Sequence, residues 1–148
     1  MANTGGEPGV VVVRGSAEGF VQEITAGRHR IIADEPQASG GTDRGPTPYD
    51  LLVAAFGACM SMTVALYART KQWPLTGVTV TLRHSRVHAR DCADCVTQDD
   101  TMLDRVDSEV MLDGALTREQ RDRLLEIATR CPVHRTLKSE ISLRVRGA

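Results

Sequence analysis

From Leu51 to Ala68 the chain reads LLVAAFGACMSMTVALYA without one charged side chain. A run of that length and polarity has two homes, a bilayer or the middle of a folded core. Its punctuation argues for the core. Thr47 is a good N-cap, Pro48 suits the first helical position because its missing N–H is one the helix cannot use, and Asp50 stands three residues after the cap. There its carboxylate meets free backbone donors. Trp73-Pro74 stops the run. A helix is therefore predicted from Pro48 to about Lys71, apolar on nearly every face and so buried at the centre of the fold. Gly57, Cys59, Ser61 and Thr63 within it fit close packing better than lipid. No membrane partner is expected.

The flanking segments are patterned as strands that could cover such a helix. Val10–Arg14, Gly19–Thr25 and Arg28–Ala33 are β-branched runs separated by turn residues, a three-stranded antiparallel meander that ends at Asp34-Glu35-Pro36. Residues 37–47, QASGGTDRGPT, read as a loop. Beyond the helix, Leu75–His88 alternates with Val78, Val80 and Leu82 on one face, and Val106–Leu112 alternates likewise, which suggests a hairpin with the acidic segment Ala89–Asp100 at its tip. Thr117 and Gln120 form a capping box for a second helix over about 117–130, Pro132 restarts or kinks it, and Glu140–Arg146 alternates as a final strand. The fold class expected is α+β: a single domain over 1–148, with residues 1–9 a flexible tail.

With 18 Lys+Arg against 19 Asp+Glu the net charge is −1, and one Trp, two Tyr and two Phe are scattered along the chain. Neither a basic footprint nor an aromatic stacking platform is present, so nucleic acid is not an expected partner. The N-terminal residues show no basic and apolar leader pattern, and four cysteines are too few for a disulfide-dense secreted scaffold, which points to a reducing cytoplasmic setting. In that setting cysteines are more often catalytic or metal-bound than structural.

Cys59 lies in the middle of the uncharged helix, where a cysteine is either a small hydrophobe in the core or a reactive thiol approached over Ala55, Gly57 and Ala58. Asp50 is nine residues earlier, about 13 Å of helical rise, so it acts as a cap or through a partner and not directly on the thiol. Cys131 precedes Pro132. If Pro132 opens a helical turn, Cys131 is its N-cap, where free N–H groups favour a thiolate, and His134 and Arg135 add positive charge; a buried structural cysteine at a helix break is the alternative. Cys92-Ala93-Asp94-Cys95 follows His84 and His88, both assigned to the apolar face of their strand. A C-x2-C pair with histidines resembles a tetrahedral zinc set, but two histidines four residues apart on a strand are about 13 Å apart. The metal alternative is thus Cys92, Cys95 and His88 with a foreign ligand. A redox pair ranks below it, and a free, acidic, mobile loop above both.

Gly45-Pro46-Thr47-Pro48-Tyr49-Asp50-Leu51-Leu52, Ala54–Thr63 around Cys59, and Cys131-Pro132-Val133-His134-Arg135-Thr136-Leu137 resemble the osmotically inducible protein C and organic hydroperoxide resistance family. The likeness spans about Gly19 to Arg146. It implies antiparallel sheets around a long buried central helix, an intertwined homodimer with active sites at the subunit interface, and a cofactor-free thiol peroxidase. Cys59 then matches the cysteine that attacks a small organic hydroperoxide, and Cys131 the one that resolves the sulfenic acid as a disulfide, which a dithiol reductant reopens. The best-known members pair a hairpin arginine with a glutamate at the start of the helix. This chain has Gly15-Ser16-Ala17-Glu18-Gly19 at the hairpin and Asp50 in the helix, leaving Arg14, Arg28, Arg30 and Arg44 as substitutes for the cation. A redox-sensing or binding protein with little turnover is the alternative that this departure raises.

Overall fold

The computed structural model describes residues 7–148. Of the tail expected over 1–9, residues 1–6 lie outside the described residues. The chain divides into two compact units, Met1–Leu52 and Val53–Ala148.

In the first unit β1 (Val11–Gly15), β2 (Gln22–Ala26) and β3 (His29–Ala33) form the antiparallel meander in the order β1-β2-β3, with Val13 opposite Ile24 and Ile24 opposite Ile31. The turn between β2 and β3 uses Gly27 at φ +59°, a left-handed conformation that costs glycine nothing. The loop that follows is held by one carboxylate. Asp34, 2% exposed, accepts N–H groups from Glu35 (2.8 Å), Thr42 (3.2 Å) and Arg44 (3.1 Å) and the Thr42 hydroxyl at 2.6 Å. These bonds, the Thr42 hydroxyl first among them, lower its pKa from 3.8 to about 2. A carboxylate whose folded pKa is depressed stabilises the fold above its unfolded value and loses that contribution as pH falls through the folded value. The Thr42 and Arg44 amide resonances are therefore expected to titrate near pH 2. In Asp34→Asn the acid transition of this loop should disappear; amides moving with a midpoint near 3.8 in the unsubstituted chain would contradict the clamp.

Helix α1 (Pro48–Thr70) begins at the end of this unit with the capping box its sequence announces: the Thr47 N–H donates to Asp50 Oδ2 at 2.9 Å and the Asp50 N–H to Thr47 Oγ1 at 3.1 Å. It is long and apolar enough to cross a membrane, with a mean hydropathy of 1.9. Its Phe56, Met60, Val64 and Ala68 stripe is instead the spine of a core shared with Leu112, Leu124, Ala128 and Cys131.

In the second unit β4 (Leu75–His88) pairs antiparallel with β5 (Met102–Gly114), Val80 opposite Val110 and His88 opposite Met102. Both strands are longer than a single hairpin needs, and β5 begins four residues before the expected Val106. Gly57 gives α1 its close approach to this sheet, since a Cβ there would stand 2.5 Å from Leu82 Cδ1. Helix α2 (Arg118–Ala128) has the Thr117/Gln120 capping box. The Arg121 guanidinium ties it to the end of β5 by donating to the carbonyls of Leu112 (2.6 Å) and Gly114 (2.9 Å). The Arg123 guanidinium donates to the Tyr67 hydroxyl at 3.1 Å, joining α2 to α1.

Three expectations need correction. Glu140–Arg146 forms no strand among the described residues; an alternating sequence sets two faces but requires a ladder partner. Helix α1 is not buried all round: Met62 is 71% and Leu66 60% exposed. The better-covered side of β4 changes from even to odd positions between His84 and Val87, while the strand stays paired residue for residue with β5, so packing against the sheet and not the alternation leaves His88 exposed.

Candidate active site

Helix α3 (Pro132–Lys138) begins directly after α2, because Pro132 has no N–H to give the preceding helix and is preset for a new first turn. That places Cys131 at the N-cap, where its Sγ accepts the His134 N–H at 3.3 Å. The residue is fully buried. Cys59 projects from the middle of α1 and packs, half-buried, on the same core cluster. The two thiols are free and close enough for the Cys59 thiol to act on the Cys131 thiol.

Burial is the main force on the Cys131 thiol and pushes its pKa up. The His134 N–H pulls it back, the Cys59 thiol raises it again, and the Val133 N–H lowers it. Cys131 is therefore held protonated near neutral pH, a poor first nucleophile but a ready proton-bearing partner for an oxidised Cys59. The Phe56 ring, one turn before Cys59, stacks at 5.7 Å on the His134 imidazole, one turn after Cys131. Sequence reading singled out His134 and overlooked Phe56, although its place three residues before Cys59 puts it on the adjoining face of the helix.

Asp50 is engaged in the α1 capping box and is exposed. Of the four arginines named as substitutes for the cation, Arg30 lies 3.7 Å from Glu23 and Arg44 lends its backbone N–H to Asp34.

The Cys92–Cys95 segment is not the free acidic loop expected. The two cysteines form a disulfide with Cα atoms 5.3 Å apart, Cys92 is 2% exposed, and a 3-10 turn at Ala89–Asp91 leads into it. Gln98 secures the loop by donating to the carbonyls of Cys92 (3.2 Å) and Cys95 (2.6 Å). The third potential ligand beside the sulfurs is Asp94, all within 4.8 Å of one another, and His88 is not in that group. Sulfurs joined to each other are not thiolate ligands, so the disulfide form does not fit a zinc set. His84, the other histidine considered, has its Nε2 2.8 Å from Asp104 Oδ1.

A family model described as OsmC-like protein matches residues 41–146, a span that holds all four cysteines. No curated protein matches the chain significantly. Among solved structures, the fold is similar to an OsmC-like protein from Mycoplasma pneumoniae, at 15% identity and a TM-score of 0.67, over 87% of this chain and 86% of that one. It is also similar to an organic hydroperoxide resistance protein OsmC from Legionella pneumophila, at 19% identity and 0.63, over 87% and 88%. The organic hydroperoxide resistance protein OhrB of Bacillus subtilis matches at 22% identity and 0.59, over 87% and 89%. The architecture is thus the α+β arrangement of antiparallel sheets and helices found in those structures. With the family model covering both helices that carry the free thiols, this chain belongs to the OsmC-like protein family.

Proposed function

We propose that the protein is a thiol peroxidase for organic hydroperoxides, and the observation that carries this is the pair of free thiols brought together on one core cluster, beside the stacked Phe56 and His134. The Cys59 thiolate attacks one peroxide oxygen, the O–O bond breaks, and the alkoxide takes a proton and leaves as an alcohol. Cys59 becomes a sulfenic acid. The Cys131 thiol then attacks that sulfur, expelling hydroxide, which leaves as water with the Cys131 proton, and the two sulfurs are joined. An external dithiol returns both to thiols in two exchange steps. The apolar lining favours an alkyl or lipid-derived peroxide over hydrogen peroxide. The chemistry draws on no cofactor, and a cytoplasmic setting with a dithiol pool suits it.

The working unit is proposed to be a homodimer. Ala55, Met62 and Leu66 form an exposed apolar stripe on α1 with Cys59 at its margin, and Leu143 and Val145, 85% and 100% exposed, alternate along a terminus with no ladder partner. A second copy offers both faces what they lack, and intertwining through the C-terminal segment follows. Asp50 is proposed to serve this assembly as the cap that fixes the start of α1.

The test is a trapping experiment. Cys131→Ser treated with cumene hydroperoxide and then dimedone is expected to carry one adduct, on Cys59, because the resolving thiol is gone. Cys59→Ser is expected to carry none. An adduct equally abundant on Cys131 in the Cys59→Ser chain would reverse the roles, and no adduct in either would remove the peroxidase assignment. If the adduct forms but dithiol supports no turnover, the protein is a redox sensor.

A further inference from the structure

The Cys92–Cys95 disulfide has no part in the cycle just described, yet it borders it. A cavity of about 690 Å³ is walled on one side by Cys92, Cys95 and Leu103 and on the other by Phe56, His134 and Leu137. Phe56 stands three residues before Cys59 and His134 three after Cys131, so the cavity runs from one sulfur pair to the immediate neighbours of the other. The disulfide sits at the tip of the β4–β5 hairpin, beyond His88 and Met102, in a loop held by the Ala89 N–H on the Thr101 carbonyl (2.8 Å), the Arg90 N–H on the Asp99 carbonyl (3.0 Å) and the Gln98 side chain. Cys92 and Cys95 are joined, whereas Cys59 and Cys131 are free.

We propose that Cys92 and Cys95 are an internal redox couple that reduces the Cys59–Cys131 disulfide and is itself the point where the external dithiol delivers electrons. The proposal rests on the peroxidase reading above. Cys95, half-buried, is the attacking sulfur, whereas Cys92 is buried with its Sγ 3.2 Å from Asp94 Oδ1, next to which a thiolate is repelled. When the Phe56–His134 pair parts, the Cys95 thiolate attacks the Cys59 sulfur and the Cys131 sulfur leaves as a thiolate. Cys92 then attacks Cys95, forming the Cys92–Cys95 bond and releasing Cys59. Two electrons have moved. The two protons given up by Cys92 and Cys95 end on Cys59 and Cys131. The external dithiol gives two electrons and two protons to Cys92–Cys95 at the Cys95 sulfur, the less buried of the two, and departs as its own cyclic disulfide. The active-site pair, whose Cys131 is fully buried, then never has to admit the reductant.

Peroxide stoichiometry with disulfide mapping tests this on the fully reduced whole chain. After one equivalent of cumene hydroperoxide and alkylation, the linked peptides are expected to join Cys92 to Cys95 with Cys59 and Cys131 alkylated, the Cys59–Cys131 link appearing first and decaying at a rate independent of protein concentration. A second equivalent is then consumed, so that all four thiols are lost. Cys92→Ser/Cys95→Ser is expected to consume one equivalent and to stop at the Cys59–Cys131 link. A Cys59–Cys131 link that persists in the unsubstituted chain while Cys92 and Cys95 remain thiols overturns the relay. So does oxidation of Cys92–Cys95 at the same rate in Cys59→Ser, which would make it a direct target of peroxide. Failure of the reduced, unsubstituted chain to lose any thiol overturns the peroxidase reading instead, and the two failures are distinct. The mapping of the unsubstituted chain and of Cys59→Ser stands even if the double serine variant folds poorly.

Discussion

Cys59→Ser is expected to lower kcat/KM for cumene hydroperoxide by on the order of 10⁴-fold or more, the scale on which removal of a nucleophile acts. The hydroxyl is nearly isosteric with the thiol but is not ionised near neutral pH and cannot form a sulfenic acid. The helix does not depend on the sulfur: the Thr63 hydroxyl donates to the Cys59 backbone carbonyl at 2.7 Å, a bond that serine leaves in place. Loss of activity is therefore expected with an unchanged far-UV circular dichroism spectrum. Steady-state peroxide consumption with dithiothreitol as donor measures it, and a loss of less than tenfold would show that another group attacks the peroxide.

Met62→Glu/Leu66→Glu is expected to abolish the proposed dimer, taking the mass by light scattering from twice 16.1 kDa to 16.1 kDa. Both side chains are majority-exposed in the single chain, on the side of α1 opposite its buried stripe. Burying a Met or Leu is worth roughly 1.5–3 kcal/mol, and in a twofold interface each occurs twice. Carboxylates at the same positions reverse that gain and add desolvation, so the dimer dissociation constant should rise on the order of 10³-fold or more. Because the stripe adjoins Cys59, activity is expected to fall in parallel with dimer content. A dimer of undiminished affinity in the double variant would place the interface elsewhere.

Local rules of backbone chemistry made much of this fold legible. Thr47, Pro48 and Asp50 set the start of α1, Trp73-Pro74 its end, and Thr117 with Gln120 the start of α2, because caps and prolines act within a few residues of themselves. Cys131 could be placed at a helix start for the same reason. That its thiol meets Cys59 is long-range, and only the resemblance to a known family joined the two beforehand. Features that depend on distant partners were misread. The alternation of Glu140–Arg146 specifies a strand only if an edge is offered to it, and the apolar character of α1 could not reveal that one face stays uncovered within a single chain. The Cys92–Cys95 bond was ranked low because compartment and motif context, not geometry, set its odds; a C-x2-C spacing at a hairpin tip brings the Cα atoms to 5.3 Å, well within disulfide range. Period two puts the histidines at 84 and 88 on one face, but which face is covered changes along β4, and that depends on what packs against it.

The central claim is that peroxide joins Cys59 to Cys131, and its most direct test removes the competing couple. The chain with Cys92→Ser and Cys95→Ser, fully reduced, is given one equivalent of cumene hydroperoxide, alkylated and digested. The account predicts a peptide pair linked through Cys59 and Cys131, with the peroxide consumed and no alkylated thiol left at either position. Recovery of both cysteines as alkylated thiols, with the peroxide intact and the variant folded, would contradict it.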